Sequence, residues 1–205
     1  MSLNISDPTI VITLLSVAVT LTIFYVIFIF YQIRESRKHK QILMNQAVKR
    51  KGEFKGSIIS NPTLKFNYSG SKVEIYSLSD RFSINTYIEI IMRKSSKIKM
   101  KIFKESNLSK VAKAIGLKDI QLGYDEFDSE VIVKGTNKNF ITDILTNNIQ
   151  QKILSQMKNV KPFIYLKNDR LRISIRDFFI DDKTCDELIE LGLRIADRIK
   201  DISAK

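Results

Sequence analysis

The chain has 205 residues, a formal net charge of +12 at neutral pH, one cysteine and one histidine. A single cysteine excludes an intramolecular disulfide, and a single histidine, His39, excludes a multi-histidine metal centre. The excess charge is unevenly placed: −1 over residues 1–33, +6 over 34–51 and +7 over 52–205.

The first element is an uncharged apolar run from Pro8 to Ile33. At 1.5 Å of rise per residue it is long enough to cross roughly 30 Å of hydrocarbon with some tilt, and it is apolar on every side. Asp7 is placed to cap its first turn and Pro8 to occupy the first helical position. Tyr25, Tyr31 and Gln32 fall where polar-tipped side chains sit at headgroup depth. A cleaved signal would need a basic start and a small-residue cleavage site, and neither is present. No lysine or arginine precedes the run, whereas Arg34, Arg37, Lys38, Lys40, Lys49, Arg50 and Lys51 follow it. The positive-inside rule therefore predicts an amino end outside and a cytoplasmic carboxyl side, in the plasma or inner membrane. The expected organisation is a short extracytoplasmic N-terminus (1–8), a transmembrane helix (9–33), a basic juxtamembrane segment (34–51) and one cytoplasmic domain (52–205). The basic segment is expected to contact anionic headgroups, at about 1 kcal/mol per side chain near the surface.

Residues 41–51 extend the helix for a few turns, with Leu43, Met44, Ala47 and Val48 on one face. Strands follow. Leu64, Phe66 and Tyr68, then Val73 and Ile75, alternate around a Ser69-Gly70 turn. Residues 84–93 and 97–103 read as the next pair of strands. The period then changes, and Leu108, Val111, Ala112 and Ile115 define a helix capped by Asn107 and stopped by Gly116. A strand over "EVIVKG" precedes one helix from about Asn137 to Met157, ended by Pro162. A hairpin turning at Asn168-Asp169 comes next. In the last helix Thr184 and Glu187 form a capping box, and Cys185, Leu188, Ile189, Gly192, Ile195, Ala196 and Ile199 form a continuous apolar stripe. The fold class is α+β: a transmembrane helix plus one soluble domain, with a mostly antiparallel sheet and helices on one face.

The stretch "GYDEFDSEVIVKG", with Gly123, Phe127, Asp128, Val131, Val133 and Gly135, resembles a pattern in uncharacterised bacterial single-pass membrane-anchored proteins. The resemblance spans about residues 110–200. It implies membrane anchoring and a strand followed by a helix, and it carries no activity.

Chemistry is thinly represented. Cys185 lies on the apolar stripe, where burial makes a thiol inert. Asp125, Glu126, Asp128 and Glu130 lack the glycine and spaced glutamate of a calcium loop, so an acidic turn before a strand accounts for them. Asp181 and Asp182 read as helix caps. No phosphate-binding loop, nucleophile elbow or C-x-x-C motif occurs. No catalytic residue, cofactor or metal is assigned. What stands out is a pair of basic combs: Lys97, Lys99 and Lys101 alternate with Ile98, Met100 and Ile102, and Arg170, Arg172 and Arg176 oppose Leu171, Ile173 and Ile175. If both strands share a sheet, the combs form one surface for anionic lipid headgroups or an acidic protein partner. Nucleic-acid binding at the membrane, or an enzyme without a recognisable motif, are the alternatives. Tryptophan is absent and no RNA-recognition strand is present, which leaves non-specific phosphate contact.

Overall fold

The computed structural model describes residues 8–56, 61–79, 83–104, 118–179 and 181–203, and of the side chains at 9–10 and 94–97 nothing is said. Asp7, the helix expected over 107–116 and the Lys97 side chain lie outside the described residues. The chain divides into two compact units, Met1–Lys38 and His39–Lys205.

Helix α1 runs Pro8–Lys49. Within the first unit its apolar side chains stand exposed, among them Ile12, Leu21, Phe24 and Phe30, and its mean hydropathy reaches 2.5. Its hydroxyls return their protons to the helix, Ser16 to the Thr13 carbonyl, Thr20 to Ser16 and Thr22 to Ala18, each at 2.8 Å. A side chain that satisfies its own donor this way leaves nothing unpaired toward hydrocarbon. The helix is long and apolar enough to cross a membrane.

The second unit starts inside the same helix. His39, Ile42, Leu43, Gln46 and Ala47 are buried, while Met44 and Val48 are exposed. The core face is thus turned relative to the expected Leu43, Met44, Ala47, Val48 face, and the second compact unit includes the chain from His39 onward. Gly52 ends the turn after α1, its N–H donating to the Ala47 carbonyl at 2.8 Å. A Cβ there would lie 2.8 Å from the Lys65 carbonyl oxygen, so only glycine fits.

Strands β1 (Glu53–Lys55), β2 (Thr63–Tyr68) and β3 (Ser71–Ser79) form an antiparallel meander onto β4 (Ile84–Lys104). Ser69 and Gly70 both have positive φ, 44° and 76°, as a tight two-residue hairpin requires. β4 is one long element with register breaks between Ile91 and Ser96 and between Ser96 and Lys99, not two strands paired with each other. Its first arm pairs β3 on one edge and the second arm of β7 (Phe163–Arg176) on the other. Its second arm pairs the first arm of β7 and β6 (Val131–Gly135), which in turn pairs β5 (Lys118–Asp119).

β7 folds back on itself. The Ser174 hydroxyl donates to the Phe163 carbonyl at 3.4 Å, whereas residues eleven apart on a straight strand would be separated by about 36 Å. The reversal falls at Asn168, where φ is 58°. The β7 hairpin is therefore clasped between the two arms of β4, and its tip meets Ser96 in the crossing segment.

The helices α2 (Asp125–Glu130), α3 (Lys138–Ile144), α4 (Asn147–Asn159) and α5 (Asp182–Ser203) complete the unit. The acidic stretch is thus a short helix, with Asp128 accepting from the Leu122 and Gly123 N–H groups. The single helix expected over 137–157 is broken at Leu145 and Thr146: Leu145 leaves the helical region and the extended backbone of Thr146 starts a new helix at a polar Thr-Asn-Asn run. α5 is capped by Asp181, which accepts from the Thr184 N–H at 2.6 Å, rather than by a Thr184–Glu187 box. Glu187 instead takes the Gln156 amide. The apolar stripe of α5 is buried throughout and seats on the sheet, since a Cβ at Gly192 would come within 2.9 Å of Ile90 and 3.2 Å of Ile173. Fold class α+β holds, with the sheet antiparallel throughout its named strands and this helix lying on the face that carries Ile88, Ile90 and Ile173.

Candidate functional site

The face of the sheet turned away from α5 carries the residues that alternate with the core. Strand register arranges them in rows across the strands. One row is aromatic: Tyr76 stands opposite Tyr87 with rings 5.3 Å apart, Tyr87 opposite Ser174, and beyond the hairpin Phe163 stacks on Phe103 at 6.0 Å. Two residues along the strands, a mixed row runs Glu53, Lys65, Glu74, Glu89 and Arg172, then Tyr165, Lys101, Lys134 and Asp119. Two further along, at the hairpin tip, Lys72, Ile91 and Arg170 are followed by Lys167 and Lys99.

Lys99 and Lys101 of one comb and Arg170, Arg172 and Arg176 of the other therefore reach one surface, but not as a uniform sheet of positive charge. Arg172 donates to Glu89 at 2.8 Å and lies over the Tyr87 ring, and that hydrogen bond raises its pKa further. Glu89 is only 5% exposed, so this pair is a screened structural contact. Lys65 and Lys72 both bridge Glu74, whose pKa is lowered chiefly by the Lys72 hydrogen bond. Lys101 lies over the Tyr165 ring at 5.7 Å. Arg170 reaches Glu89 only at 3.9 Å and is 57% exposed, and Lys99, Lys167 and Arg176 are exposed with no ion pair among the described residues. Arg170, Arg172, Lys167, Asp169, Asn168, Tyr165 and Glu89 line a cleft of about 240 Å³.

The basic segment after α1's apolar run also divides. Arg34, Arg37 and Lys38 are exposed and Lys40 is half-buried. Lys49 and Arg50 are not free for headgroups: both bind Asp186, at 2.8 and 2.6 Å, and Arg50 also binds Glu190 at 3.0 Å and covers the Phe66 ring. They tie the end of α1 to α5.

His39, placed by sequence in the basic junction, is wholly buried. Its Nδ1 accepts from the Phe179 N–H at 3.3 Å, which makes Nε2 the protonated nitrogen and the donor to Ser77 Oγ at 2.9 Å. Ser77 Oγ lies 2.9 Å from Thr86 Oγ1, which donates to the Asp177 carbonyl at 2.8 Å. The chain of bonds is complete with a neutral ring, and burial lowers the imidazole pKa to about 4. A buried serine and a ring held neutral at pH 7 are structural, joining the end of α1 to β3, β4 and the segment after β7. Protonation would set a second N–H against that of Phe179. Stability contributed by neutral His39 is thus complete above the unfolded value of 6.5 and falls as pH drops toward about 4, by about 3 kcal/mol. Urea unfolding at pH 7 and pH 4.5 is expected to show a larger loss for the native chain than for His39→Gln. Equal losses would mean that the ring does not carry the linkage.

Cys185 is fully buried and its thiol pKa is pushed up by burial. Among the described residues no group of His, Cys, Asp and Glu side chains is placed to hold a metal ion. The aromatic rows and the His39 network were not singled out from sequence. The signal for the first was present, because Tyr165 lies between buried Ile164 and Leu166, Phe163 beside Ile164 and Tyr87 beside Ile88, in outward positions where polar residues are the rule.

No protein-family model matches the chain, and no curated protein matches it. Among solved structures, the fold is similar to the crystal structure of the mycobacterial trehalose monomycolate transport factor A, TtfA, with a TM-score of 0.54 at 8% identity, covering 80% of this chain and 93% of that one. At that identity the likeness is one of fold: an α+β domain of this architecture, preceded here by a helix fit to cross a membrane.

Proposed function

We propose that this protein is a membrane-anchored accessory protein, in which α1 crosses the bilayer once with the amino end outside and the domain from His39 onward holds a partner protein on the cytoplasmic side. The observation that carries the reading is an aromatic and basic sheet face in a domain entered directly from an apolar helix. Rings in a sheet's outward row present apolar area to water at a cost, which contact with a partner relieves. The fold it shares with a protein described as a transport factor agrees with an accessory role, as does the resemblance to membrane-anchored bacterial proteins. Arg34, Arg37, Lys38 and Lys40 are assigned to anionic headgroups. No reaction is assigned.

Two experiments test this. A photo-reactive phenylalanine analogue at Phe163 should form a discrete protein adduct in native membranes, while one at Lys183 on the helical side should not. Lipid adducts alone at Phe163 would sink the docking reading. For topology, a cysteine at Ser2 should react with an impermeant maleimide in intact cells and one at Lys205 should not, because the basic residues lie wholly after the span. Buried Cys185 contributes no background. The reverse labelling would place the domain outside.

A further inference from the structure

We propose that the outer sheet face receives an acidic segment of the partner protein, with an apolar side chain set on the aromatic row and carboxylates set against the basic row at the β7 turn. The inference rests on the accessory reading above and adds the chemistry and spacing of what is bound.

Three features of the face lead there. First, polarity is graded along the strands rather than mixed at random: aromatic rings, then a row whose charges are largely neutralised within the sheet, then Arg170, Lys167 and Lys99. The outer rows are separated by about 13 Å, the rise of four strand residues. A partner chain covers that distance with about four extended residues or about nine helical ones. Second, the cations at the tip are the ones left without a close partner. Arg172 is committed to Glu89, whereas Arg170 is 3.9 Å from the same carboxylate and mostly exposed, and Lys99 and Lys167 are exposed opposite each other. Like charges directly opposed on a strand pair repel, so an incoming carboxylate relieves a strain within the sheet as well as pairing with it. Third, Arg170 and Lys167 line a cleft of about 240 Å³ walled by Tyr165, with Glu89 and Asp169 also in it.

The cleft favours a peptide over a bilayer surface or a nucleic acid. A headgroup layer is flat and uniformly anionic, and it would bring charge onto Glu89 and Asp169 as readily as onto the cations. A single Asp or Glu side chain can be placed against Arg170 and Lys167 and kept away from both. The adjoining aromatic row supplies the apolar contact that neither headgroups nor phosphates would use. The rings could stack with bases, which makes an oligonucleotide a necessary arm of the test.

The test uses the full chain in nanodiscs of zwitterionic lipid and a labelled synthetic peptide with a Phe-Leu end and a Glu-Glu end, followed by fluorescence anisotropy. Saturable binding is expected, with affinity falling about tenfold in a Lys167→Gln, Arg170→Gln double variant and about tenfold in Phe163→Ser, since one tenfold step corresponds to a single good contact. A Lys138→Gln, Lys183→Gln control on the helical side should bind as the native chain does. All variants alter exposed positions, and matching far-ultraviolet melting curves establish that they fold. Equal loss in the control, or equal binding of a peptide with Lys in place of Glu, overturns the proposal. So does displacement of the peptide by a short oligonucleotide or by anionic vesicles whose own binding needs the same residues. If the peptide fails but the Phe163 photo-adduct with a protein forms in native membranes, this inference falls and the accessory reading stands. If neither occurs, both fall.

Discussion

A chain that begins at Met44 is expected to lose cooperative unfolding, whereas one that begins at Arg34 should keep it. The shorter chain lacks His39, Ile42 and Leu43, all buried in the domain core. Burial of an Ile or Leu side chain contributes about 1.5–3 kcal/mol. Removing the imidazole also strands the Phe179 N–H, at about 1–3 kcal/mol for an unsatisfied buried group, while the Ser77 hydroxyl keeps its bond to Thr86. The sum, about 4–9 kcal/mol, is comparable with the whole stability of a typical domain, about 5–15 kcal/mol. Urea titration followed by circular dichroism reads the difference directly. If both chains unfold at the same midpoint with the same slope, the end of α1 is an ornament of the core and not part of it. The last turns of α1, from His39 to Lys49, belong to the compact unit that holds the core.

Replacing Ile195 by Asp should abolish folding of the domain altogether. Ile195 is wholly buried in the middle of the α5 stripe, between Leu191 and Ile199 one turn away on either side. A carboxylate there must either stay charged in an apolar layer or take up a proton, and it also surrenders the isoleucine's packing. The combined cost exceeds about 4 kcal/mol, at the severe end of single substitutions. Ile195→Val removes one methylene and should cost about 1 kcal/mol, and Arg194→Asp at the exposed neighbouring position should leave the melting temperature within a few degrees. A folded Ile195→Asp protein would show that α5 does not seat on the sheet as described.

The docking face has a related economy. Outward residues on β4 and β7 can be changed with little effect on stability because their inward neighbours carry the core, as Ile88, Ile90, Ile173 and Ile175 do around Tyr87, Glu89, Arg172 and Ser174. Glu89 is the exception. Buried and bonded to the half-exposed Arg172, it holds that guanidinium over the Tyr87 ring, so it belongs to the scaffold of the face rather than to its contact set.

What the sequence determined by itself is what depends on near neighbours. The uncharged run from Pro8 to Ile33, the Ser69-Gly70 hairpin, the β6 strand and the stripe of α5 were each legible, because a helix period, a strand period or a turn residue is written within a few positions. What only the tertiary structure decided depends on residues far apart in the chain. Nothing near residues 84–104 announces that the β7 hairpin will insert between the two arms of β4, since pairing partners lie about sixty to ninety positions away. That one insertion brings Lys99 and Lys101 onto a common surface with Arg170 and Arg172, gives Arg172 to Glu89, and lines up Tyr87 with Phe163 and Phe103. His39 followed the same logic: in sequence it stands among lysines and arginines, yet the Ser77 hydroxyl, itself bonded to Thr86, and the backbone of Phe179 meet it inside the core. Asp181 took the helix cap from Thr184 because only the folded approach to α5 sets which carboxylate points back at the first turn. A basic comb read from alternation shows which way side chains point. Whether each charge is spent within the sheet or left for a partner is settled by the strand that lies beside it.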